Sequence, residues 1–267
     1  MKIAFIGGGN MGEAILAAML GKKLAMAKDI TVSDILEAKR QYLAQKYAVN
    51  VSSSNLETIN GKDVILLAIK PQTLPNVMTE MKGHIKPDQL VVSIIAGARL
   101  NKLTGGLNQQ AIVRSMPNTP AQIGEGVTMW TATPEVTEAQ KKTAGTILGA
   151  MGKELYASDE GMLDMATAVS GSGPAYVFLY IEAMTEAAVK IGLPRDTAKQ
   201  MVMGTLLGSS HLASQSDKEP AELRRMVTSP GGTTAEAIAT FEKGGFSELV
   251  YQAVKAAYEK SQKLGQG

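Results

Sequence analysis

The sequence predicts an α/β protein, a doubly wound sheet followed by an all-α C-terminal domain. Three observations lead there. A glycine turn follows an apolar strand within the first dozen residues. Strand-like and helix-like segments then alternate through two-thirds of the chain. From about residue 160 the strand signals stop and only helical patterns follow.

The N-terminal stretch organises the rest. Ile3-Ala4-Phe5-Ile6 is a continuous apolar run, and Ala14 to Leu20 is apolar with helical period. Between them, Ile6-Gly7-Gly8-Gly9-Asn10-Met11-Gly12 sets Gly7, Gly9 and Gly12 at the G-x-G-x-x-G spacing. The first glycine permits a tight turn, the second lets backbone approach a pyrophosphate, and the third lets helix and strand pack closely. Free N–H groups at the helix start then face phosphate. This is the fingerprint of a Rossmann-type dinucleotide site.

Further strands are predicted at Lys2–Ile6, Ile30–Ser33, Val64–Ile69, Leu90–Ile95, Ala111–Ser115 and Val127–Thr131, with helices over Asn10–Leu20, Leu36–Lys46, Leu74–Lys82 and Glu138–Met151. Runs such as Val64–Ile69 suit a sheet buried on both faces, and the alternation predicts a parallel sheet. Its ligand crevice lies beyond the carboxyl ends of the strands. There Ser33-Asp34 follows Gly12 at about the twenty-residue spacing of a ribose-binding acid, which suggests NAD; Ser33 with Lys39 or Arg40 suits a 2′-phosphate instead. Lys70-Pro71 opens a helix, with Lys70 either offsetting phosphate charge or solvated. Ala96-Gly97 is small enough to lie under a flat ring. Asn118 and Thr119 are held between Pro117 and Pro120.

In the second part, Ser170-Gly171-Ser172-Gly173-Pro174 breaks the pattern and Pro174 opens a helix. Ala175–Ile191 is apolar nearly all round and should be buried. Helices Leu193–Ser214 and Pro220–Val227 follow, then Ser229-Pro230-Gly231-Gly232-Thr233-Thr234, where Thr233 and Glu236 have capping-box spacing. Gly244-Gly245 ends that helix, and Phe246 to about Lys263 forms the last, with a frayed tail. The expected domains are 1–158, binding dinucleotide, and 159–267, all-helical, for dimerisation and substrate. A domain so small covers a uniformly apolar helix poorly, so a homodimer through Ala175–Ile191 is predicted. No internal repeat or low-complexity segment is visible.

Composition narrows the function. Basic and acidic residues number 27 and 25 with no basic block, so neither nucleic acid nor an anionic membrane is an expected partner. No apolar run approaches a signal core or a membrane span, and a cytoplasmic protein with a small-molecule substrate is expected. There is no cysteine, and the two histidines, His84 and His211, stand far apart, which argues against a metal site or a Ser-His-Asp triad. The frequent methionines read as flexible core filler. The Ser229–Thr234 loop combines a stiff proline, exposed glycine backbone and two hydroxyls at a helix start. That arrangement suits a carboxylate, or simply a capped turn.

Phe5–Gly12, Ala68-Ile69-Lys70-Pro71, Arg114–Pro120, Ser170–Tyr176 and Ser229–Thr234, in this order and spacing, resemble the pyrroline-5-carboxylate reductase family along nearly the whole chain. The resemblance implies NADPH or NADH as donor and a dimer, often assembled as a ring of five dimers. It implies that Ile6, Gly7, Gly8, Gly9, Asn10, Met11, Gly12, Ala68, Ile69, Lys70, Pro71, Ala96 and Gly97 touch cofactor, with Ser33 and Asn55 at the adenosine end. It further implies that Ser229, Gly231, Gly232, Thr233 and Thr234 hold the substrate carboxylate, with Asn118 nearby and the catalytic Thr234 hydroxyl near the ring nitrogen. Asp217 falls where some relatives carry a glutamate near the substrate entrance, a departure from the pattern. A crevice between the domains lined by Ser, Thr, Asn and Gly suits a protonated imine, already a strong electrophile. Three rivals remain: a β-hydroxyacid dehydrogenase, whose early lysine is missing from the helix after Pro174; a reductase of another cyclic imine; and a dinucleotide sensor without catalysis.

Overall fold

The computed structural model describes residues 1–265; the last two positions of the predicted tail lie outside the described residues. Strands β1 (Ile3–Ile6), β2 (Ile30–Ser33), β3 (Asn50–Ser52), β4 (Val64–Leu67), β5 (Leu90–Ser93), β6 (Ile112–Met116), β7 (Gly126–Ala132) and β8 (Gly152–Tyr156) form one sheet. Its order is β3-β2-β1-β4-β5-β6-β7-β8. Helices α1 (Asn10–Gly21), α2 (Glu37–Tyr47), α3 (Asn55–Ile59), α4 (Leu74–Met81), α5 (Leu100–Leu107), α6 (Glu138–Gly149) and α7 (Met162–Ala166) connect and follow the strands. A π-helical turn, Thr167–Gly171, leads into α8 (Gly173–Lys190), α9 (Arg195–Gln215), α10 (Pro220–Met226), α11 (Thr233–Lys243) and α12 (Phe246–Gly265).

The predicted elements recur within two residues at each end. One expectation fails: the sheet is not wholly parallel, because β7 runs antiparallel to β6. The link between them holds only a short 3₁₀ turn, Thr119–Ile123, and a parallel return needs a crossover of a dozen residues or more. The frayed tail is also corrected, since Leu264 and Gly265 continue α12.

The packing divides the chain into two compact units: Met1–Pro174 with the stretch from Ala257 onward, and Ala175–Ala256. In the first unit, alternate strand residues feed two cores. Ile3, Phe5, Val32, Leu66 and Val92 meet Ile15, Leu16 and Met19 of α1, Leu43 of α2 and Ile147 of α6 on one face. Ala4, Ile65, Leu67, Val91 and Ile112 meet Leu74 and Met81 of α4 and Leu103 and Leu107 of α5 on the other. A sheet covered on both faces explains the uninterrupted apolar strands.

The second unit is built differently. Of the described residues of α8 only Thr185 is buried, and α9 adds only Ala198 and Val202. The expected burial of Ala175–Ile191 is therefore not met within one chain: Val177, Phe178 and Leu179 are all more than half exposed. Arg195 clasps Glu186 at 2.6 and 3.0 Å across the α8–α9 turn. No helix among the described residues is long and apolar enough to cross a membrane.

Candidate active site

Register draws the strand ends into one row. Ile6 lies opposite both Ser33 and Leu67, Leu67 opposite Ser93, and Ser93 opposite Arg114. The glycine loop, Asp34, Ala68–Pro71 and, a few residues past Ser93, Ala96-Gly97 therefore all leave the sheet at the same carboxyl edge. The strand order reverses at β1 and β4, which is where such sheets open a ligand crevice.

Each loop glycine has a separate reason. Gly7 has φ +97°, and a Cβ there would lie 2.6 Å from the Ala68 carbonyl oxygen. A Cβ on Gly12 would lie 2.7 Å from the Gly7 oxygen. A Cβ on Gly9 would meet nothing within 4 Å, and Gly9 is the N-cap of α1 with no side-chain cap. The helix start thus presents backbone to open space beside Asn10 and Met11, an arrangement that fits an anionic pyrophosphate. Gly8 turns inward toward Leu43, and its N–H donates to Asp34 Oδ2 at 2.9 Å.

Around the second strand the polar groups are already engaged. Asp34 Oδ1 accepts the Leu36 N–H at 2.9 Å. Ser33 Oγ donates to Asn55 Oδ1 at 2.6 Å, and Asn55 Nδ2 donates to Glu80 at 2.8 Å, so Ser33 and Asn55 come together. Arg40 donates to the Asp34 and Ile35 carbonyls at 2.7 and 3.2 Å. Lys39, weighed for a 2′-phosphate, is instead paired with Glu13 at 2.6 Å. Glu13 also accepts from Lys46, Tyr42 and Tyr47 at 3.0, 2.8 and 2.9 Å. Burial alone would raise its pKa; these four hydrogen bonds outweigh burial and hold it down at about 2. The hydrogen bonds that the Lys46 ammonium donates to Tyr42 and Glu13 push its pKa up.

Ala68 is half-buried beside β1, its N–H on the Ile6 carbonyl at 2.8 Å. Ile69 follows, and Lys70 is the exposed N-cap of a 3₁₀ turn that opens with Pro71. Asn118 is 9% exposed, and its Oδ1 accepts the Val127 N–H at 2.9 Å, fastening the start of β7. That oxygen serves the fold.

In the second unit, Ser229–Thr234 forms a tight turn: the Gly232 N–H donates to the Ser229 carbonyl at 3.0 Å and Gly231 takes φ +69°. Gly232, not Thr233, is the N-cap of α11, and no side-chain cap forms. The predicted Thr233–Glu236 capping box is therefore absent. The helix starts one residue earlier than that spacing implies, so Thr233 and Thr234 are its first two residues. Among the described residues neither hydroxyl bonds another group, and a helix start without a cap remains available to a carboxylate. Asp217 lies exposed in the link between α9 and α10.

Two features escaped sequence reasoning. Ser170 and Gly171 belong to the π-helical turn and not to an open loop: the Ser172 N–H reaches back to the Thr167 carbonyl at 2.8 Å, and a Cβ on Gly171 would lie 2.8 Å from Met116 Cε. Such insertions mark functional stretches. Behind the sheet edge, Arg114 is 3% exposed, with Nη1 on Glu160 at 2.7 Å and Nη2 3.6 Å from Asp164. An acid pair four residues apart, Glu160 and Asp164, well downstream of a lone strand arginine, was the available signal.

Comparison with known proteins gives two family matches. A family described as pyrroline-5-carboxylate reductase dimerisation matches residues 160–264, and one described as NADP oxidoreductase, coenzyme F420-dependent, matches residues 2–97. A pyrroline-5-carboxylate reductase of Pseudomonas aeruginosa is 43% identical over 99% of this chain and 97% of its own length. A solved pyrroline-5-carboxylate reductase of Coxiella burnetii superposes with a TM-score of 0.92 at 34% identity, covering 98% of both chains. A pyrroline carboxylate reductase of Plasmodium falciparum, solved with NADP bound, gives a TM-score of 0.90 at 33% identity, over 99% of this chain and 98% of its own.

Proposed function

The chain belongs to the pyrroline-5-carboxylate reductase family, and from that premise we propose how its own residues carry the reduction. It is an NAD(P)H-dependent oxidoreductase of proline biosynthesis, giving L-proline from 1-pyrroline-5-carboxylate. When bound, reduced coenzyme supplies the hydride that adds to the C=N carbon. Everything else falls to the protein: binding, orientation, and a proton kept on the ring nitrogen.

The observation that carries the assignment of residues is the single row Ser33, Ile6, Leu67, Ser93 at the carboxyl edge. The α1 N-terminus with Ile6–Gly12 holds the pyrophosphate, Ser33 and Asn55 the adenosine end, and Ala68–Pro71 with Ala96-Gly97 the remainder of the coenzyme. Ser229, Gly231, Gly232 and Thr233 bind the substrate carboxylate at the α11 N-terminus. Thr234 hydrogen-bonds the imine nitrogen and is the catalytic residue, and Asn118 and Asp217 border the substrate. Most of the acceleration then comes from placing the imine carbon, with no side-chain acid required.

The working division places dinucleotide binding in 1–158 and dimerisation with substrate binding in 159–267, a reading supported by the dimerisation family over 160–264. The exposed apolar residues of α8 support a homodimer centred there, and five such dimers make the ring. The compartment is the cytoplasm. The test of the activity is a steady-state comparison of NADPH and NADH oxidation with pyrroline-5-carboxylate and its six-membered homologue. Turnover with pyrroline-5-carboxylate is expected; faster turnover of the homologue would reassign the substrate. Sedimentation at micromolar concentration tests assembly: a dimer or its multiple supports the reading, and a monomer ends it.

A further inference from the structure

The end of α12 has no role in the reading above. Chain ends usually fray, yet Ser261 is only 5% exposed. Its hydroxyl donates to Asp164 Oδ1 at 3.0 Å. The other oxygen of Asp164, itself 1% exposed, accepts from Arg99 Nη2 at 2.7 Å. Arg99 is the N-cap of α5 and stands two residues after Gly97. Glu160 secures the same spot, accepting the Leu100 N–H at 2.8 Å and Arg114 at 2.7 Å.

The contact with the turn is direct as well. Gly97 has φ +74°, and a Cβ there would sit 3.1 Å from the Leu264 carbonyl oxygen and 3.4 Å from Leu264 Cβ. A Cβ on Gly265 would sit 2.7 Å from Arg99 Nε. The last turn of α12 therefore lies in van der Waals contact with the Ala96-Gly97 turn, and Asp164 ties both through one carboxylate.

We infer that Ser261–Gly265 is a positioning element for coenzyme binding: it backs the Ala96-Gly97 turn and holds it in its bound shape before the coenzyme arrives. The inference rests on the reading that this turn meets coenzyme. A preformed turn has no ordering cost on binding, so loss of its backing weakens coenzyme affinity and leaves substrate affinity alone.

The test uses the full-length enzyme, a chain ending at Lys263, Ser261→Ala and Ala96→Leu. Coenzyme Kd is measured by calorimetry, with KM for both substrates and the melting temperature. The shortened chain keeps the Ser261–Asp164 bond and loses the backing. Its Kd and KM for coenzyme are expected to rise about three- to tenfold, the scale of re-ordering a short segment, with KM for pyrroline-5-carboxylate unchanged. Ser261→Ala is expected to move the same two constants about twofold, and it decides the matter if the shortened chain fails to fold. Unchanged coenzyme constants beside a weakened Ala96→Leu enzyme overturn the inference and leave the site reading intact. Parallel loss of both KM values with the melting temperature assigns the helix end a structural role only and also overturns it. An Ala96→Leu enzyme with normal coenzyme affinity removes the turn from the site, and the inference with it.

Discussion

The two units bury their apolar residues by opposite means. In the first, helices on both faces of the sheet bury every residue of the central strands β1, β4 and β5, and two apolar cores form within one chain. In the second, α10 and α11 contribute no buried residue, and Phe178, Leu179, Ile191, Met201 and Leu207 are all more than half exposed. The sheet unit carries its own stability. The helical unit exposes apolar surface that one copy leaves uncovered, the kind of surface that marks an interaction site.

The sharpest way to break this contrast is a charge on α8. Phe178→Asp is expected to raise the dimer dissociation constant about a thousandfold or more, the scale of burying an unpaired charge, as read by sedimentation. A comparable charge for an exposed residue of the sheet unit should leave assembly alone. Thr234→Ala comes next: it is expected to lower turnover by about ten- to a thousandfold, the worth of one hydrogen bond made at the reacting group, with coenzyme Kd unchanged. An unaltered turnover number would take Thr234 out of the mechanism.

Gly7→Ala probes the sheet unit by itself. The new Cβ meets the Ala68 carbonyl at 2.6 Å in a left-handed backbone conformation. A strain of about 2 kcal/mol should appear as a coenzyme affinity some thirtyfold weaker in calorimetry, with the dimer intact. The smallest effect concerns Glu13. Its folded pKa of about 2 lies below the ordinary 4.5, so its stabilising contribution is present above pH 4.5 and is lost as pH falls toward 2. For this mostly covered side chain, discounted for screening, the contribution is roughly 1–2 kcal/mol. Glu13→Gln should lower the melting temperature of the sheet unit at neutral pH and flatten its acid dependence between those limits, with turnover preserved.

What was legible follows the same division. Continuous apolar runs and the glycine spacing located β1, β2, β4, β5 and β6 and the loops beyond them, because a sheet buried on both faces admits few other residues. The edge strands β3 and β8 and the short helices α3, α5 and α7 were missed. Asn50–Ser52 is polar and half-exposed, and pieces of three to eight residues carry too little periodicity to register. The candidate site was legible where a motif sits in one stretch, as in Ile6–Gly12 and Ser229–Thr234. It was illegible where contacts join distant positions that no motif links: Asn118 with Val127, and Asp164 with Arg99 and Ser261. The Thr233 capping box failed for a subtler reason. A Gly-Gly turn moved the helix start by one residue, and spacing alone does not encode that shift.

The most direct test of the central claim is a crystal structure of the enzyme with oxidised coenzyme and proline both bound. The account predicts the pyrophosphate on the backbone of Gly9–Met11 and the proline carboxylate on the N–H groups of Gly231–Thr234. A carboxylate held elsewhere, with that helix start in contact with solvent alone, would contradict it.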